Sequence, residues 1–181
     1  MFETPTKDKA AILPDILAPG LDVVFCGSAA GRASAGAGAY YAGPGNRFWP
    51  ILHECGLTPR RLQPREFRTV VRYGIGLTDL SKYQSGADSA LDARGDDASA
   101  LAAKITLHAP RVLAFNGKRA GAVFLRQMLA SEIKDYGLQP RALGNTAVCN
   151  TAVFVLPSTS GAARRWWDAA PWRSLGDYLG R

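Results

Sequence analysis

LDVVFCG (21–27), followed by SAAGRASAGAGAYYAGPGN (28–46), is the stretch on which the fold turns. Its first part is short, apolar, rich in β-branched residues and closed by glycine, which predicts a buried strand at the centre of a sheet. The second part is mostly Gly, Ala, Ser and Tyr, and predicts a long loop whose small residues let backbone approach a ligand closely. Working outward, NRFWPILHECGL (46–57) and PREFRTVVRYG (64–74) have helical patterning, the first with Asn46 as N-cap and both ending at glycine. IGLTDL (75–80) predicts a second strand, ASALAAKITLHA (98–109) a helix broken by Pro110, and RVLAFNG (111–117) a strand that feeds the helix KRAGAVFLRQML (118–129). TAVFVLPS (151–158) is again strand-like and leads into STSGAARR (158–165) and an aromatic C-terminal segment. Strands alternating with helices predict an α/β fold, with a mostly parallel sheet covered on both faces. Ligands of such sheets bind at the carboxyl ends of the strands, so the loops after Gly27, Leu80, Gly117 and Pro157 should converge on one crevice.

Composition narrows the chemistry. The 181 residues, 47% hydrophobic and 20% charged, suffice for one domain spanning 1–181, with residues 1–14 free to be flexible. The net charge of +7 fits a folded protein that meets a polyanion, and nucleic acid is the first partner to consider. Sixteen of the 22 basic residues are Arg, whose planar fork suits phosphate, although a GC-rich genome raises the Arg share on its own. Segment 23–73 is net +5 and segment 98–181 net +7, whereas 79–97 is net −3. Arg61, Arg65, Arg68 and Arg72 recur at helical spacing, either as a phosphate-facing stripe or as a solvated face. Cys26, Cys55 and Cys149 form no CxxC pair, which argues against a disulfide framework, a zinc site and an iron–sulfur cluster; no metal or cofactor is expected. With no signal-like leader and no long apolar run, a soluble cytoplasmic protein with no membrane partner is expected, nucleoid-associated if bacterial. His53 and His108, the only histidines, fall in helical runs where packing roles are commoner than catalysis. Carboxylates, hydroxyls and backbone groups remain as the chemical vocabulary.

GSAAGRASAGAG (27–38) does not fit GxGxxG and lacks the GK[ST] of a P-loop. Taken alone it leaves open a phosphate cradle of a Rossmann-like enzyme, a structural turn, or a site for something else. Read with its sequel, LAPGLDVVFCGSAAGRASAGAGAYYAGPGNRFW resembles the mismatch-specific branch of the uracil/thymine-DNA glycosylase superfamily. There a strand ends in a GxNPG-type loop, followed by an aromatic residue and an NRFW segment. The resemblance continues in order through GLTDL, AFNGKRA and LPSTSGAARR, covering roughly residues 15 to 165.

The resemblance implies a three-layer α/β/α fold and an enzyme that flips uracil, or a related damaged or mismatched base, out of DNA and hydrolyses its N-glycosidic bond. A monomer leaving an abasic site is the expected form of that activity. The physics agrees with the small-residue loop, because amides aimed at a base oxygen stabilise the charge left on the departing base. By resemblance, Gly27, Ser28, Ala29, Tyr41 and Asn46 form the base site, with amides near Ser28 and Tyr41 as donors and the Tyr41 ring stacking on the base; packing against the first helix is the ordinary alternative for both tyrosines. The family's water-orienting Asn falls at Ala29, which polarises nothing, and residues 27–49 contain no Asp or Glu. An acid from elsewhere must then serve: Asp88, on the loop beyond the second strand, is the first candidate and Asp79 the second. Alternatively the chain is a nucleic-acid-binding relative that has lost catalysis. Asp96 and Asp97 read as helix caps. In LPSTSGAARR, Ser158, Thr159 and Ser160 are expected to donate to phosphates beside Gly161. Ala162 and Ala163 are short for a wedge, so Arg164 could fill the gap, with Arg165 beside it on the DNA. The four tryptophans read as packing. Only Lys82 and Lys118 stand in motif loops, which suggests a monofunctional enzyme with no imine-forming lysine.

Overall fold

A computed structural model describes residues 10–144 and 150–181; Cys149 lies outside them. Five strands form one sheet: β1 (Val23–Gly27), β2 (Ile75–Asp79), β3 (Val112–Asn116), β4 (Gly137–Leu138) and β5 (Ala152–Leu156). Their order is β2-β1-β3-β5-β4, and only the two-residue edge strand β4 runs antiparallel. Side chains alternate between two cores, as a pleated strand requires. Val23, Phe25, Val112, Ala114, Phe154 and Leu156 share one core with α2 (Phe48–Glu54) and α5 (Ala170–Leu179). Val24, Cys26, Leu113, Phe115, Val153 and Val155 share the other with α3 (Ala98–His108) and α4 (Lys118–Leu129). The mostly parallel α/β/α architecture expected from the sequence is therefore present.

Four local expectations change. Residues 32–37 of the supposed loop form a short helix, α1 (Arg32–Ala37); it has no apolar period to announce it and is held by packing of Ala30, Ala35 and Ala39 on the core. Pro64–Tyr73 is a 3-10 helix, so its inward residues Phe67 and Val70 repeat every three positions. That period moves Arg72 off the face shared by Arg65 and Arg68, and the expected arginine stripe is not continuous. Residues 11–14 are not free: Leu13 is buried, the Ile12 amide donates to the Lys82 carbonyl at 2.9 Å, and Ile16 covers the outer edge of β2 through Leu77. Residues 1–9 lie outside the described structure. Finally, three of the tryptophans pack, but Trp166 is 77% exposed.

From β1 the chain adds β2 on one side and then β3 and β5 on the other, so the order of strand addition reverses at β1. Pairing reflects it: β1 meets β2 as far as Gly27↔Asp79 and β3 meets β5 as far as Asn116↔Leu156, but β1 and β3 part after Cys26↔Phe115. The crevice that such a reversal opens lies between Gly27 and Asn116.

Candidate active site

The floor of the crevice is built by close approach. A Cβ on Gly27 would stand 2.6 Å from Asp79 Oδ1, so glycine lets that carboxyl lie over the end of β1, and the Tyr41 hydroxyl stands 3.5 Å from the same point. Asp79 is 6% exposed and, among the described residues, its carboxyl makes no hydrogen bond. Burial pushes that carboxyl up to about 7; the Lys82 ammonium pulls against the shift and Asp15 adds to it. The Tyr41 hydroxyl is likewise sealed and without a hydrogen bond. Burial and Asp79 both drive its acidity down, with Asn116 acting in the opposite sense. Tyr41 holds a left-handed backbone with φ 55°, is half-buried and stacks on Phe48 at 3.8 Å. Unpaired buried polar groups and a strained non-glycine backbone concentrate at functional sites, and here they coincide.

Backbone donors complete the floor. Among the described residues the Ser28 and Tyr41 amides make no hydrogen bond within the chain, while the Ser28 carbonyl is held by the Ser81 amide at 2.9 Å. Ala29 is half-buried beside them. Asn46 uses its Oδ1 to accept from the Phe48 amide at 3.0 Å, so the expected cap forms one residue outside the helix and occupies the side-chain oxygen that a base would otherwise meet.

The acid-rich stretch sorts itself by partner. Asp97 caps α3 by accepting from the Ala100 amide at 2.8 Å, as expected. Asp96 does not cap; it is paired with both guanidinium nitrogens of Arg119 at 2.8 and 3.0 Å. Asp92 binds Arg94, and the Gln84 side chain closes this loop by bonding both backbone groups of Asp92 at 2.8 Å. Only Asp79 and Asp88 keep unpartnered carboxylates in this stretch. Asp88 stands exposed in a 3-10 turn, Asp88–Ala90. That turn begins two residues after Gly86, whose amide donates to the Ala30 carbonyl at 3.0 Å. Asp79 and the Tyr41 hydroxyl thus both border Gly27, whereas among the described residues no contact ties the Asp88 side chain to them.

Asn116, which the sequence reading passed over, locks the far wall. Its Nδ2 donates to Thr159 Oγ1 at 2.8 Å and its Oδ1 accepts from the Thr159 amide at 2.9 Å. Thr159 is fully buried. It therefore holds the loop instead of facing phosphate, and the hydroxyls left to a phosphate are those of Ser158 and Ser160. A polar residue in the last position of an apolar strand, AFN, was the available signal for Asn116. The same loop is pressed against 44–47: Gly161 meets the Pro44 carbonyl where a Cβ would stand 2.7 Å away, Arg164 lies over Gly45, and the Arg47 amide donates to the Thr159 carbonyl at 2.9 Å. Arg164 is thus laid along the loop, Arg165 and Ala162 are exposed, and Ala163 is half-buried. Lys82 is engaged by Asp15 at 2.7 Å and donates to the Tyr40 hydroxyl at 3.3 Å, while Lys118 lies over the Tyr136 ring. Among the described residues no group of three or more His, Cys, Asp or Glu is placed to hold a metal, and no helix is long and apolar enough to cross a membrane.

An α/β/α sheet thus presents at its switch point a half-buried aromatic ring, free amides and a buried carboxyl. The uracil DNA glycosylase superfamily model matches residues 14–176. The chain belongs to that superfamily. Among solved structures it is similar to the solution NMR structure of a protein from Methanosarcina acetivorans, described provisionally as a uracil DNA glycosylase. The two share 25% identity and a TM-score of 0.61, over 96% of this chain and 99% of that one. Superfamily membership supports a uracil-DNA-glycosylase-like hydrolase role, with DNA as the substrate.

Proposed function

We propose that the protein is a monofunctional, metal-free glycosylase that extrudes uracil, or a related lactam base at a mismatch, and hydrolyses its N-glycosidic bond. The observation that carries this reading is the placement of Asp79 and the sealed Tyr41 hydroxyl around Gly27, beside unpaired amides at the switch point. An extruded base stacks on Tyr41, its carbonyl oxygen faces the Ser28 and Tyr41 amides, and its ring N–H donates to ionised Asp79. The amides gain most as negative charge builds on the departing base, which is where stabilisation accelerates the reaction. Negative charge on Asp79 also steadies the oxocarbenium-like sugar.

The order of the two acids is therefore reversed from the sequence reading: Asp79 is the acid of the site, and Asp88, exposed on its turn, is secondary. Ser158 and Ser160 grip phosphate, with Arg164 and Arg165 adding charge. The protein works as a monomer in the cytoplasm. The test is excision of uracil from single-stranded, U·G and U·A oligonucleotides, followed by alkaline cleavage. Product from any of them, lost in Asp79→Asn, supports the assignment. Salt-sensitive binding of all three without product would favour the second reading, a DNA-binding relative disarmed by Ala29.

A further inference from the structure

We propose that Trp166 is a stacking platform for an unpaired base of the DNA that lies across the crevice. The sequence offers four tryptophans, and three are consumed by packing. Trp49 is buried with its Nε1 donating to the Tyr40 carbonyl at 3.1 Å, Trp172 is buried with its Nε1 donating to the Pro157 carbonyl at 3.1 Å, and Trp167 lies between Arg47 and Trp172. Trp166 alone is turned to solvent, at 77% exposure. An indole left in water forgoes a large apolar burial, and this one stands in a 3-10 helix, Gly161–Trp166, that grows directly out of the loop locked to Asn116.

The geometry of that helix selects what the indole can meet. Residues three apart eclipse in a 3-10 helix. Gly161 and Arg164 share the face pressed on Pro44 and Gly45, which fixes the helix to the Tyr41 loop. Ala162 and Arg165 share a second, solvent-facing side. Ala163 and Trp166 share the third, so the side chain too short to plug a duplex stands one turn before the largest side chain available. Among the described residues neither Arg164 nor Arg165 makes an ion pair, so the two faces of the helix next to the indole each carry a guanidinium with its charge unspent. An exposed aromatic ring on the same short helix as two unpaired arginines is complementary to single-stranded nucleic acid, where bases stack on rings and phosphates meet guanidiniums. A base still paired in a duplex offers no face to it, so the platform favours single-stranded DNA and sites next to an extruded nucleotide.

The inference rests on DNA being the ligand of the crevice, and it is tested on uracil-free DNA so that binding is read apart from excision. Affinities of wild type, Trp166→Ala, Trp166→Phe and Arg165→Ala are measured over a salt series for a single-stranded oligonucleotide and its perfect duplex. Trp166→Ala should lose on the order of tenfold on the single strand, and less than about twofold on the duplex, with the salt slope unchanged. Trp166→Phe should recover most of the loss. Arg165→Ala should weaken both ligands and flatten the single-strand slope by about 0.7. Equal loss on both ligands, no loss, a Phe variant as poor as Ala, or a wild type that binds neither ligand overturns the platform. Binding as described with no excision of uracil leaves the platform standing and removes only the glycosylase reading. Because Trp166 is exposed, the variants should melt with wild type.

Discussion

Two carboxylates stand at the β2 edge of the sheet, one bonded to Thr78 and the other on the next residue, and they behave oppositely. Asp15, under Thr78, accepts from the Thr78 hydroxyl at 2.7 Å and from Lys82 and Lys104 at 2.7 Å each. Burial pushes its carboxyl up, but these donors outweigh burial and hold it below the usual range. Asp79, the next residue along β2, is more deeply buried and has no donor, and it rises to about 7. Lys82 could have served both and is committed to Asp15. One acid is thus a tie that fixes the 11–16 segment to β2. The other is left unsatisfied at the crevice, and that contrast is the ground on which the proposed function gives Asp79 the chemical role.

Exchanging their properties is the sharpest way to break that contrast. Asp79→Asn should lower uracil excision by on the order of a hundredfold or more, the range expected when a positioned acid–base group is lost. It should also raise thermal stability above pH 7. The sign follows from linkage: an acid whose folded value lies above its unfolded value of 3.8 binds more protons in the folded state between 3.8 and about 7. Stability therefore falls as pH rises through that window, and Asn removes the loss. Asp15→Asn should do the reverse. Excision should stay within about fivefold, while unfolding in urea near pH 7 should show a loss of about 2 kcal/mol, reduced from a fully buried pair by its partial exposure. Because Asp15 is depressed on folding, its contribution is present above the unfolded value of 3.8 and fades as pH falls below it.

Asn116→Ala strips both bonds from buried Thr159 and should cost about 1–3 kcal/mol, with weaker DNA binding as the 158–164 loop loosens. Asp88→Ala, at an exposed and unpartnered carboxylate, should change stability by less than about 0.5 kcal/mol and excision by no more than about threefold. A loss from Asp88→Ala that equals the loss from Asp79→Asn would restore the order read from the sequence and undo the contrast.

How much of this was legible beforehand depended on the kind of signal. The long strands announced themselves because full burial in a parallel sheet leaves runs such as VVFCG and AVFVL with no polar interruption. α1 and β4 did not, because RASAGA has no apolar period and Gly137–Leu138 is too short to carry one. The 3-10 character of Pro64–Tyr73 was hidden for a similar reason: its arginines recur at a helical spacing while its inward residues follow a period of three. In the site, the strand ends were readable from topology: Gly27 and Asp79 close β1 and β2, and Ser28 and Tyr41 lie between β1 and α2. Partner choice was not readable. Nothing in the spacing of Asp92, Asp96 and Asp97 reveals that Arg94, Arg119 and the Ala100 amide take them. Lys104, eighty-nine residues from Asp15, gives no sign in the chain that it will help satisfy that acid. Setting Asp92, Asp96 and Asp97 aside by their partners, and preferring buried Asp79 to exposed Asp88 by burial, both need three dimensions.

The most direct test is the pH dependence of single-turnover uracil excision by wild type beside Asp79→Asn, from pH 5 to 9. Ionised Asp79 acting on the base predicts a wild-type rate that climbs through about pH 7 and levels off, over a variant profile that is low and flat across that region. A variant that excises uracil at the wild-type rate with the same profile would contradict the assignment of Asp79, and with it the account of the crevice.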